Sequence, residues 1–259
     1  MTWGARTPFQ YTGPGPVTTD PMFAYVSLLL HFDGTNGAST FTDNSSYARG
    51  QTLIGTPTND TSTYQFPTAS GKFVSASSQA LAYAATTNPI RPFLQNAGEA
   101  IYSTLECWIK TTSSTAYMTI ISQMDGAFNN GAWSLLMNSS YSGEISFSYR
   151  PYNTGSPPML TTASGVYNDG AWHHVAVTYG GGTFTLWVDG VSKATRAFTA
   201  SATVSTTNMW IGGDNFFGRY FNGNIDELRI TRSDTNAGGN VGTCRYTAPF
   251  TPTGPFPNS

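Results

Sequence analysis

The sequence predicts an all-β protein, an antiparallel two-sheet β-sandwich of the jelly-roll type with extended segments at both ends. Three observations carry that expectation. Apolar residues recur at every second position in short runs rich in Val, Ile, Thr, Phe, Tyr and Trp. Turn signals built on Asp-Gly, Gly-Gly and Asn separate these runs roughly every 8–12 residues. No convincing amphipathic helix appears; the best place for a helical turn, PIRPFLQNAGEAIY at 89–102, is limited by Pro92 and Gly98.

The elements follow in order. YVSLLLHFDG (25–34) is apolar and ends at Asp-Gly, and GKFVSAS (71–77) is a short candidate strand. STLECWIKT (103–111) puts Leu105, Cys107 and Ile109 on one face. YMTIISQMDG (117–126) and AWSLLMN (132–138) come next. GEISFSYR (143–150) alternates cleanly, with Ile145, Phe147 and Tyr149 facing one way and Glu144, Ser146, Ser148 and Arg150 the other. WHHVAVTYGGGTFTLWVDG (172–190) reads as a hairpin: Phe184, Leu186 and Val188 share a face, and Gly180–Gly182 supply a permissive turn. NMWIGG (208–213) and GNIDELRITR (223–232) close the set.

Composition narrows the function. Only 10% of the 259 residues are charged, against about 25% in an average soluble domain, while aromatics reach 14%. The surface is therefore one of hydroxyls and amides. Net charge is −2 with no basic cluster, which leaves phosphate-backbone binding without an electrostatic footprint. No run of about 18 apolar residues offers a membrane span. The head of the chain lacks the apolar core of a signal peptide, so no cleaved secretion signal is expected. Two cysteines, Cys107 and Cys244, make neither a disulfide framework nor a zinc set.

Three regions are expected: an arm over 1–23, the sandwich over 24–247 and a Pro-rich strap over 248–259. The arm holds Pro8, Pro14, Pro16 and Pro21, which forbid helix and central strand. It also carries Trp3, Phe9 and Tyr11, large apolar side chains that a mere linker seldom needs. The expectation is an extended arm that docks on a neighbour or on its own domain; an unanchored terminus is the alternative. The strap mixes Pro with Phe250 and Phe256.

His173 and His174 are adjacent, so a strand points them to opposite faces and they cannot share one ion. Glycosidic cleavage needs paired carboxylates. The four glutamates, Glu99, Glu106, Glu144 and Glu227, form no E-x-x-x-E pattern, and the expectation is a non-enzymatic protein. Asp226 shares parity with Leu228 and Ile230, which starts it from the buried side, where a carboxylate needs a partner or a cation. Asp43 and Asp33 sit in loops with Asn36 and Asn44, an oxygen-rich set that suits Ca²⁺. The alternative is that each aspartate caps a turn through backbone N–H groups. In GGDNFFGRYFNG (212–223), Phe216, Phe217, Arg219 and Tyr220 are the candidate partner contacts; a loop folded onto the sandwich edge is the alternative.

LLLHFDGTNGASTFTDNSS, LECWIK, DGAWHHVAVTYGGGTFTLWVDG, IGGDN, FNGNIDELRITR and RYTAPFTP occur in that order. The series closely resembles the concanavalin A-like, laminin G-type jelly rolls of bacteriophage virion proteins, over roughly residues 26–252. The resemblance implies a structural component at the surface of a phage particle, assembled in the host cytoplasm, as a capsid decoration or a tail, collar or fibre part. It implies other virion proteins as partners through the arm, or host glycans if the protein is an adhesin. It allows a homo-oligomer, although no coiled-coil heptad specifies one. It also implies one structural calcium, for which Asp43, Asp226 and Asp33 are the ligand candidates.

Melting with and without EDTA separates the two roles of the aspartates. A calcium-held loop melts lower in the chelator, whereas turn-capping carboxylates leave the melting temperature unchanged.

Overall fold

The computed structural model describes residues 19–86, 90–93, 100–124, 131–149, 159–162, 165–197, 206–234, 244–246 and 248–259. Trp3, Phe9 and Tyr11 of the expected arm lie outside them. Fifteen strands are described: β1 Val26–Leu30, β2 Thr52–Ile54, β3 Thr58–Asp60, β4 Ser70–Phe73, β5 Ala80–Tyr83, β6 Ile101–Lys110, β7 Met118–Gln123, β8 Trp133–Met137, β9 Ile145–Tyr149, β10 Met159–Thr161, β11 Trp172–Gly180, β12 Thr183–Val188, β13 Val191–Ala197, β14 Met209–Ile211 and β15 Gly223–Asp234.

They form two antiparallel sheets. The first, sheet A, runs β13-β12-β11-β6-β15-β4-β3, with β1 also paired to β15; the second, sheet B, runs β10-β9-β8-β7-β14-β5-β2. Period-2 alternation builds the layer between them. Leu105, Cys107 and Ile109 of β6 meet Val175 and Val177 of β11 and Phe184, Leu186 and Val188 of β12 in one core. Ile145, Phe147 and Tyr149 of β9 enter the same core from sheet B.

Of the segment expected to hold a helical turn, residues 90–93 and 100–102 are described; 101–102 open β6, and 90–93 is an extended piece ending in a turn that places Phe93 in the core. There the ring stands edge-on to Trp133, Phe147 and Phe184 at centroid distances of 5.5, 5.4 and 5.3 Å. Such edge-to-face pairs add about 0.5–1.5 kcal/mol each beyond the area they bury.

The hairpin at 172–190 turns as its glycines require. Gly181 and Gly182 both have positive φ, 57° and 76°, the geometry of a two-residue type I′ turn. At the next turn Gly190 (φ 74°) lets the C-terminal segment approach: a Cβ there would stand 2.5 Å from Thr251 Oγ1.

β15 departs from simple alternation. Asp226 faces Trp108 and Arg229 faces Glu106, so two residues of β15 lie opposite Cys107 alone. Glu227 takes up the extra residue with φ 47°. This bulge reverses the parity inferred from sequence. Ile225, Leu228 and Ile230 face the core, whereas Asp226, before the bulge, lies on the outer side with Trp108.

Truncating Phe93 to Ala should cost about 3–5 kcal/mol in urea unfolding, because four aromatic neighbours cannot close the void. A loss below about 1 kcal/mol would mean that the ring is not a core element.

Candidate functional site

Two places on the molecule gather polar chemistry. The first is the outer face of sheet A, where Glu106 of β6 and His174 of β11 sit side by side with 0% and 1% exposure. An unpaired carboxylate there would be prohibitively costly. Arg229 of β15 donates Nε to Glu106 Oε1 at 2.8 Å, and a second guanidinium nitrogen lies at the same distance. His174 Nε2 lies 3.2 Å from Oε2, and the Tyr246 hydroxyl donates to the same oxygen. Arg245 grips Asp20 with two parallel bonds of 2.9 and 2.7 Å, and Arg229 reaches Asp20 at 3.3 Å. Burial by itself would raise the Glu106 pKa; the charges of Arg229, His174 and Arg245 prevail and hold it at about 2. Burial beside Glu106 pushes the Tyr246 hydroxyl well above its ordinary range, which keeps it a donor.

Residues 244–259 complete this face. Tyr246 and Phe250 stack at 5.2 Å and pack with Trp187 and Ala176. Phe256 joins Val26, Leu29 and Phe23, with the Arg229 guanidinium 3.8 Å above its ring. Its N–H donates to Glu227, which bonds His31 at 2.7 Å; the other ring nitrogen of His31 meets Asn258. The middle of the outer face of sheet A is thus covered by residues 20–23 and 244–259. Its glutamates serve as structural partners. Glu144 likewise engages Ser139 Oγ and the Tyr141 N–H within a β8–β9 turn. Glu99 lies outside the described residues.

The second place is the end of sheet B where β14 and β8 finish and β7 and β9 begin. The loop after β14 is organised by Asp214, buried at 2%, which accepts from Thr119 Oγ1 and from the N–H groups of Phe216 and Phe217. This cap turns Phe216 outward and leaves Phe217 half-buried beside it. Phe216 is 53% exposed and stands edge-on to Phe217 at 4.8 Å. Arg219 lies over Phe217 at 4.2 Å and over Tyr117 at 4.5 Å. Tyr117, 44% exposed, is held by its N–H on the Asn138 carbonyl. Tyr141, 66% exposed, tops the neighbouring turn. Asn138 and Asn168 fasten these loops through the Ser113 carbonyl. The arrangement is an aromatic platform with one stacked cation and a rim of hydroxyls and amides, the materials of a binding site.

Phe216, Phe217 and Arg219, singled out in the sequence, come together here; Tyr220 packs beside Gly213 at the root of the loop. Tyr117 and Tyr141 were not anticipated. Their only signal is an aromatic residue next to a polar turn, which many buried tyrosines share.

The expected calcium ligands do not gather. Asp43 accepts from the N–H groups of Leu29, Ser45 and Arg49. Asp33 accepts from the N–H groups of Thr68 and Ala69. Asp226 accepts from those of Gln65, Phe66 and Glu227. Each acts as a turn cap, and among the described residues no three His, Cys, Asp or Glu side chains converge to hold a metal ion. The histidines separate as strand parity requires: His174 belongs to the buried cluster, while His173 bonds Asp189 and Asp169. Cys107 and Cys244 are free thiols.

The family model of the Concanavalin A-like lectin/glucanases superfamily matches residues 82–237, more than half of the chain. No curated protein matches the sequence. Among solved structures, the binding domain of Paraclostridial Mosquitocidal Protein 1 is similar at TM-score 0.62 and 11% identity, over 83% of this chain and 51% of that one. Domain 4 of an extracellular arabinanase from Geobacillus stearothermophilus, in complex with arabinotriose, is similar at 0.57 and 19%, over 82% and 94%. The receptor binding domain of botulinum neurotoxin D follows at 0.56 and 17%, over 81% and 50%. The chain spans about half the length of the two toxin chains. At these identities the likeness is one of fold.

The buried cluster has a pH signature. Because its partners hold the Glu106 carboxyl at about 2, below the 4.5 of a free glutamate, its charged form stabilises the fold fully above pH 4.5. That share is lost as pH falls through about 2. Glu106→Gln should cost about 3–5 kcal/mol at neutral pH, since it leaves two guanidinium groups short of a partner. It should also flatten the fall of the urea midpoint below pH 4.5; an acid limb as steep as that of the unaltered protein would assign the titration to another group.

Proposed function

The chain belongs to the concanavalin A-like lectin/glucanases superfamily, and from that premise we propose that it is a non-enzymatic binding domain, displayed on a bacteriophage particle, whose loop end recognises host-surface glycans. One observation carries the proposal: the exposed Phe216 beside a half-buried Phe217, with Arg219 over the Phe217 ring, at the end of the sandwich. Flat apolar rings beside hydroxyl and amide groups suit the face of a sugar, which presents C–H bonds on one side and hydroxyls at its edge.

Three further points support it. A domain of this fold was solved with arabinotriose, and others are the binding domains of toxins. Glu106, Glu144 and Glu227 are committed to internal partners, which favours binding over hydrolysis. The arm expected over 1–23, with Trp3, Phe9 and Tyr11, would anchor the domain to virion neighbours. The phage setting is supported by the motif series of the sequence and its RYTAPFTP ending.

Competition with particle adsorption tests the proposal. Excess purified protein should block attachment of the phage to its host cells. The Phe216→Ala, Phe217→Ala double variant should lose about 2 kcal/mol or more of binding, roughly thirtyfold, at an unchanged melting temperature. Undiminished blocking by the double variant would remove the platform from the role.

A further inference from the structure

We infer that the loop end selects carboxylate-bearing saccharides, with Arg219 as the group that reads the charge. The inference rests on the glycan-binding proposal above and narrows it to a ligand class.

The Arg219 guanidinium carbon lies over two rings, 4.5 Å from the centre of Tyr117 and 4.2 Å from that of Phe217. Such contacts hold the cation through the ring quadrupole and give its N–H donors no oxygen acceptor. Among the described residues Arg219 makes no hydrogen bond and no ion pair, and none of its nitrogens is among the buried unpartnered atoms. Its donors are therefore reached by water. By contrast, Arg229 and Arg245 are saturated by Glu106 and Asp20.

The surrounding charges single Arg219 out. Loops 111–117, 138–144, 165–171 and 212–222 contain four charged residues, Glu144, Asp169, Asp214 and Arg219. Asp169 accepts from the Ala171 N–H and pairs with His173. Asp214 is buried and accepts from Thr119 Oγ1 and two loop N–H groups. Glu144 is buried and accepts from Ser139 Oγ and the Tyr141 N–H. Arg219 is thus the one charge of these loops with no hydrogen bond or ion pair among the described residues.

A rigid planar cation with a free fork of donors matches a planar anion, the carboxylate, in a two-bond geometry. A run of acidic side chains or a phosphate dianion would call for several cations, and here there is one. The same loop carries an exposed phenyl ring, Phe216, and the neighbouring loops carry hydroxyls and amides such as Ser142 and Asn168. One carboxylate per unit, set on a ring with an apolar face and a hydroxylated edge, describes a uronic or sialic acid residue.

The test is a set of immobilised oligosaccharides containing uronic or sialic acids, each paired with its carboxyl-reduced neutral form, and with polyglutamate and heparin as polyanion controls. The full chain should bind acid forms about tenfold or more tightly than their reduced partners, as expected for a charge-assisted bond. Arg219→Gln should erase that preference at an unchanged melting temperature. Arg219→Lys, which keeps the charge without the planar fork, should retain part of it. Equal binding of acid and reduced forms would overturn the charge selection and leave glycan recognition standing. Polyglutamate or heparin bound as tightly as the sugars would also overturn it, in favour of a general attraction to polyanions. Absence of binding to every saccharide would overturn both this inference and the function it rests on.

Discussion

The structure depends on one buried carboxylate. Glu106 sits in the middle of the longest described pairing, β6 with β15, yet points away from the sandwich core with 0% exposure. A charge on the outside of a sheet is normally left to water. Here water is excluded, so every acceptor position must be filled from protein. Arg229 comes from the neighbouring strand and His174 from the strand on the other side. Arg245 and Tyr246 come from the C-terminal segment, and Asp20, which balances the two arginines, from the segment before β1. The cluster therefore ties both ends of the described chain to the centre of sheet A.

This tie works together with the bulge in β15. Because Glu227 adds a residue, both Asp226 and Glu227 are available on the outer side of a strand whose Leu228 returns to the core. Asp226 caps the turn at 65–66 and Glu227 anchors Phe256. Burial pushes Asp226 up to about 7, opposed by the backbone N–H groups of Phe66 and Gln65. The ends are held apolar side down as well, with Phe256 against Leu29 and Val26 and Tyr246 against Trp187. The middle of the outer face of sheet A is consequently occupied by the chain itself, while the loops at the strand ends and the edge strand β13 stay open.

Much of this was legible in the sequence. Phe184, Leu186 and Val188, or Ile145, Phe147 and Tyr149, announce their strands because one face must be apolar and the other need not be. The glycines at 181 and 182 announce their turn because only that backbone closes it tightly. The strands that went unannounced have physical reasons. β2, β3 and β10 are three residues long, too short to show a period, and β5 reads ALAY. β13 is an exposed end strand whose Lys193 and Arg196 suit an edge but break the apolar pattern. The parity of Asp226 misled because a bulge is invisible to a period-2 count. The platform was half legible: Phe216, Phe217 and Arg219 stand together in the chain, whereas Tyr117 joins them only through the β7–β14 pairing. The buried cluster was not legible at all, since its members come from five separate segments.

The central claim is that this ionic cluster fixes both ends of the described chain onto sheet A and leaves the loop end open. Amide hydrogen exchange tests it most directly. The N–H groups of Arg245, Phe256 and Asp20, bonded to Thr104 Oγ1, Glu227 and the Ser259 carbonyl, should exchange slowly. In Glu106→Gln they should lose protection together, while the β7–β8–β9 amides keep theirs. Free exchange of those three amides in the unaltered protein would contradict the account.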